Sequence, residues 1–137
     1  MKAWLVVVAM AIANGAVRNV VTQPLWGEEA ARRLATVLLL VAIGIFVRWF
    51  ERRHPLPSER QAWQVGVAWT VMTLTFEFGL GLATGLSWST MLADYDLAAG
   101  RIWVLVPLFT AVAPALARNL RLRAARPSRS ASVGPST

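Results

Sequence analysis

One carboxylate dominates the chemistry this chain could do. Glu77 stands 15 positions into an apolar run, 62–86, that holds no other charge. An ionised carboxylate inside a bilayer costs about 3 kcal/mol even on the mildest scale, so it must face protein and find a partner. Its own run supports that. Gly66, Thr70, Thr73, Glu77, Gly81 and Thr84 recur every three or four residues and form one small, polar stripe, while Val67, Val71, Leu74, Phe78 and Leu82 lie elsewhere. Small residues let helices approach closely, and threonines hydrogen-bond across the gap.

Arg18 is the expected partner. It lies 16 residues beyond Lys2, and Glu77 lies 16 residues beyond Gln61. Two helices leaving the same side of a membrane would bring both side chains to a height of about 24 Å. Asn14, one turn below Arg18, would join the network, and Arg101 is the competing partner. Two roles fit this arrangement. A buried Arg18–Glu77 pair could clamp two helices together. Alternatively, Glu77 could titrate, bind a cation or anchor a cationic substrate, with Thr70, Thr73 and Asn14 around it. The structural role is the first reading.

Other motifs carry less. Asp94-Tyr95-Asp96 could form an outward ligand site, but an acidic solvated turn explains it as well. Residues 81–85 match GxxxG, which here could simply loosen a helix end. Residues 85–89 begin like a nucleophile elbow but lack the final glycine, and no histidine follows. There is no phosphate-binding glycine loop and no HExxH. Without cysteine and with a single histidine, neither thiol chemistry nor a His/Cys metal set is expected. The chain therefore reads as a non-enzyme with no cofactor and no metal.

The elements that must position these residues follow from composition. Of 137 residues, 56% are hydrophobic and only 15% charged, against about 25% charged in an ordinary soluble domain. This excludes a typical soluble domain and a nucleic-acid-binding tail. Four apolar runs stand out, at 3–21, 34–50, 62–86 and 102–117. The last extends to about Leu122 if Arg118 and Arg121 snorkel. A spanning helix needs about 20 residues, and nothing alternates as barrel strands would. The fold class is therefore all-α: a bundle of four transmembrane helices. Ser58-Glu59-Arg60-Gln61 reads as a capping box for the third. Ser87 reads as the cap of a short interfacial helix between helices three and four, with Trp88, Met91, Leu92 and Tyr95 on one side of it, against the bundle or lipid, and Asp94 turned to water. The expected organisation is a membrane domain over 1–125 and a disordered basic Ser/Pro-rich tail over 126–137.

Charge sets the expected orientation. With the N-terminus inside, the inner side holds Lys2, Arg48, Arg52, Arg53, Arg60, Arg118, Arg121, Arg123, Arg126 and Arg129. The outer side holds only Arg18, Arg32, Arg33 and Arg101, so both termini should be cytoplasmic. An alternative makes 1–15 a cleaved signal peptide. Its single-charge n-region and the apolar continuation to Val21 favour retention. Expected partners are membrane lipids and either a second copy or another membrane protein, not nucleic acid.

Asn14-Gly15, Arg18, Pro24, Gly27 and Ala30, then Phe76-Glu77-Phe78, Gly81, Gly85, Ser87-Trp88, Leu92, Asp94-Tyr95-Asp96, Gly100-Arg101 and Trp103, carry a resemblance. The chain resembles a family of uncharacterised small bacterial membrane proteins. That resemblance covers 14–117 and implies a multi-pass membrane protein with its first span retained; the expected location is the bacterial cytoplasmic membrane. It implies no activity.

Overall fold

A computed structural model describes residues 2–126. All but the first residue of the expected tail therefore lies outside the described residues. The chain forms α1 (Lys2–Val17), a π-helical turn (Arg18–Thr22), α2 (Gln23–Trp26), α3 (Glu28–Arg53), α4 (Glu59–Ala83), α5 (Trp88–Ala93) and α6 (Leu105–Ala124).

The first three elements run on as one helix, Lys2–Trp26. Pro24 explains the π turn. In α geometry its missing N–H would strand the carbonyl four residues back, and its ring would press on it. The wider turn instead lets the Gln23 N–H reach the Arg18 carbonyl. The Thr22 hydroxyl donates to the same oxygen at 3.1 Å. Gly27, with φ +81°, then turns the chain, and α3 begins at once. The stretch between the first two apolar runs, 22–33, is thus helical on both sides of one glycine. Glu28 and Glu29 in the first turn of α3, and Arg52 and Arg53 in its last, complement its dipole.

Ser58 accepts from the Gln61 N–H at 3.1 Å, so α4 starts three residues earlier than the apolar run suggests. It ends in a Schellman motif: Leu86 N–H bonds the Gly81 carbonyl and Gly85 N–H that of Leu82. Gly85 sits at φ +81°, which is why the second GxxxG glycine is needed there. Ser87 caps α5 as expected, accepting from the Thr90 N–H at 3.2 Å.

Packing runs α4–α6–α3–α1. Gly66 brings α4 and α6 together, since a Cβ there would fall 1.9 Å from the Ala111 carbonyl oxygen. Along α3 every fourth residue is buried: Ala31, Ala35, Leu39, Ile43, Val47 and Glu51. Trp69 of α4 joins this core against Phe46 and Phe50. The outside is apolar, with Leu5, Ile12, Val41, Ile45, Val71 and Leu108 exposed.

Three helices, Lys2–Trp26, Glu28–Arg53 and Glu59–Ala83, are long and apolar enough to cross a membrane. α6 is not among them. Pro107 and Pro114 dilute its apolar stretch, and Arg118, Arg121 and Arg123 occupy its last two turns.

Candidate functional site

Glu77 lies one turn before the glycine-bearing end of α4, and the segment 84–104 folds back over it. Two features aim that segment. A Cβ at Gly81 would meet Met91 Sδ at 2.4 Å, so the glycine is the seat for α5. Phe78 stacks on both Trp88 and Tyr95, each with ring centroids 5.7 Å away. The phenol and indole that follow are thereby brought to the carboxylate. Tyr95 Oη donates to Glu77 Oε2 at 2.8 Å, and Trp103 Nε1 donates to Oε1 at 2.6 Å. Each carboxylate oxygen has one donor from the returning segment. Burial pushes the Tyr95 phenol above its usual range, and the facing carboxylate pushes it further, so it stays a donor.

The expected Arg18–Glu77 ion pair is not formed. The Arg18 guanidinium instead bonds the neighbouring Asn19 Oδ1 at 3.1 Å. The reason is helix register. Trp4, two residues into α1, donates to Thr73 Oγ1 at 3.2 Å, and Thr73 lies 14 residues into α4. Equal counts from the two helix starts therefore do not give equal height. Arg18 is carried past Glu77 toward the end where Arg32 and Asp94 stand. Arg18, Arg32, Glu77, Asp94 and Trp103 nevertheless line one cavity of about 120 Å³.

The competing partner, Arg101, goes to Asp94 Oδ1 at 3.0 Å. Arg32 bonds the same oxygen and also holds Glu28 at 2.6 Å. Asp94 is thus a tie between α3 and the segment before α6 while its side chain stays 41% exposed. Of the expected apolar side of α5, Met91 is buried and Tyr95 half-buried against the bundle, while Trp88 and Leu92 are exposed. Asp96 caps its own turn through the Ala98 and Ala99 N–H groups.

The remaining site candidates are dispersed. Asn14 donates to the Ala35 carbonyl at 2.9 Å, joining α1 to α3. Thr70 donates to the Pro107 carbonyl at 3.1 Å, joining α4 to α6. Thr73 receives Trp4. The polar stripe of α4 is real, but its members serve three different neighbours. Thr73 and Glu77 alone of the expected group border a second, larger cavity of about 230 Å³ between α1 and α4.

A second carboxylate escaped the sequence reading. Glu51, 1% exposed, accepts from Arg121 Nε at 2.7 Å and from the Leu56 N–H at 3.2 Å. Arg118 adds bonds to the Leu56 and Pro57 carbonyls. The signal was the four-residue spacing: Glu51 continues the buried line Leu39, Ile43, Val47. Tyr95 and Trp103 were also missed as Glu77 partners, because they stand 18 and 26 residues away in the chain and only the fold-back of 84–104 brings them there.

Among the described residues no three His, Asp or Glu side chains converge as a metal-binding set. No protein family, curated protein or solved structure matches the chain.

Proposed function

We propose that the protein is a small, non-enzymatic membrane protein with an accessory role, crossing a bacterial cytoplasmic membrane four times with both termini inside. Three apolar helices and an apolar exterior support insertion. The fourth crossing rests on α6, which packs between α4 and α3 and whose terminal arginines fall on the inner side. The α5 segment then lies at the outer surface. The resemblance drawn from the sequence points the same way.

The observation that carries the accessory reading is the use of both Glu77 oxygens. The carboxylate is committed to Tyr95 and Trp103, so its first task is to fasten the outer segment onto the bundle. Glu77→Gln can still accept from the indole and donate to the phenol oxygen, so the variant that breaks both bonds is Glu77→Leu. Limited proteolysis in proteoliposomes should then cut 84–104 faster than in the wild type. Unchanged protection would contradict the reading. The cavity bordered by Glu77 favours a second reading, a small transporter or channel in which a second copy of the chain completes the path. In that case Glu77→Leu would leave protection intact and abolish a flux across the vesicle membrane.

A further inference from the structure

α1 and α4 meet through Trp4, which bonds Thr73 and sets its ring edge-on to Phe76 at 6.4 Å. Beyond that contact the helices part around the 230 Å³ cavity. Val8 and Ala11 of α1, Phe76 and Leu80 of α4, and Leu39 and Ile43 of α3 make an almost wholly apolar wall. An apolar cavity of about 150 Å³ already takes a benzene-sized guest. Glu77 and Trp103 border this cavity and also the polar one that holds Arg18, Arg32 and Asp94. An apolar chamber and a charged one therefore adjoin.

The charged chamber is lined by two arginines and two carboxylates, and Arg18 is the arginine left outside the ion pairs. Asp94 is taken by Arg32 and Arg101, Glu28 by Arg32, and Glu77 by neutral donors. Arg18 has no carboxylate within ion-pair distance among the described residues; its bond is to Asn19. Height agrees with this. Glu77 is 18 residues beyond the start of α4, about 27 Å by helix rise, near the far edge of a hydrocarbon core about 30 Å thick. On the membrane-spanning reading Arg18 stands beyond it, in the headgroup region, while the apolar chamber lies beside the hydrocarbon.

We propose that this paired chamber holds one anionic phospholipid of the outer leaflet, an acyl chain between α1 and α4 and its phosphate on Arg18. An arginine fork matches phosphate oxygens, and the unpaired cation selects an anionic headgroup. The proposal rests on the membrane-spanning reading above. The two are separated by first showing that the protein floats with vesicles of pure phosphatidylcholine. Failure to float removes the membrane reading and the proposal with it; flotation leaves the lipid site to be tested alone.

The test is native mass spectrometry of the full chain in mild detergent, with phosphatidylglycerol and phosphatidylcholine added in equal amounts. The wild type should retain one phosphatidylglycerol in preference, and Arg18→Gln should cut that preference about fivefold. Arg18→Lys should keep most of it, which serves if the glutamine variant folds poorly. Ala11→Phe, filling the apolar chamber, should lower retention of both lipids. Arg52→Gln, an equal loss of charge at the other end, should change nothing. Equal retention of the two lipids by the wild type would overturn the proposal. So would an Arg52→Gln effect as large as that of Arg18→Gln, or displacement of phosphatidylglycerol by an equal amount of oleate.

Discussion

The two ends of the bundle each bury a carboxylate and resolve it differently. At the His54 end, Glu51 is fully enclosed and bonded to an arginine, Arg121, and to a backbone N–H. At the other end, Glu77 is only partly enclosed and is held by a phenol and an indole, while the nearby arginines serve Asp94. The first arrangement locks α3, the turn after it and α6 into one unit. The second leaves a carboxylate, a loosely engaged arginine and two cavities in contact. A buried acid need not take the nearest cation. The register of the helices and the way the chain returns decide which donors arrive.

That contrast can be broken most sharply at Glu51. Arg121→Leu leaves a carboxylate with 1% exposure facing no cation. It should cost about 3–5 kcal/mol, read as reversible unfolding in detergent and SDS mixtures. Glu51→Leu should cost less, because the stranded guanidinium is a third exposed and can hydrate. The double apolar variant should recover much of the loss. If all three variants matched the wild type, the end would not be locked by this pair.

Two glycines sharpen the comparison. Gly66→Ala drives a Cβ into the Ala111 carbonyl, where only backbone movement gives relief, and should cost about 3 kcal/mol. Gly81→Ala meets the thioether of Met91, which can rotate away, and should cost about 1 kcal/mol. Equal losses in the same unfolding assay would mean that the Glu77 end is as rigid as the other.

How much of this was legible in the sequence depends on how local the cause is. The caps at Ser58 and Ser87 are spelled out in three or four adjacent residues and stand as expected. Glu77 was recognisable as a buried polar site from its stripe. Its partners were not, because they depend on the offset between α1 and α4 and on the fold-back of 84–104, which no single run encodes. Glu51 was readable from its four-residue spacing but was hidden among Arg48, Arg52 and Arg53, where it looked like part of a solvated charge cluster.

A smaller effect is spectroscopic. Tyr95 is the chain's only tyrosine, so alkaline ionisation near 295 nm reports this one phenol. Burial and the Glu77 carboxylate raise its folded value above the ordinary one, about 10 for tyrosine. The stabilisation it contributes is thus full below pH 10 and is lost as pH rises through the higher folded value. Glu77→Gln should bring the titration midpoint down. A wild-type midpoint at the ordinary value would place Tyr95 in solvent. Smallest of all, Arg18→Gln should shift unfolding by about 0.5 kcal/mol or less, since it removes only a bond to an exposed neighbour.

The most direct measurement is a pair of double-mutant cycles on unfolding in detergent, one for Glu77 with Tyr95 and one for Glu77 with Arg18. Glu77→Leu and Tyr95→Phe should be non-additive by about 2 kcal/mol, as expected for a hydrogen bond to a carboxylate. Glu77→Gln and Arg18→Gln should add within about 0.5 kcal/mol. Strong coupling of Glu77 to Arg18, with none to Tyr95, would restore the interhelical clamp and contradict the arrangement described.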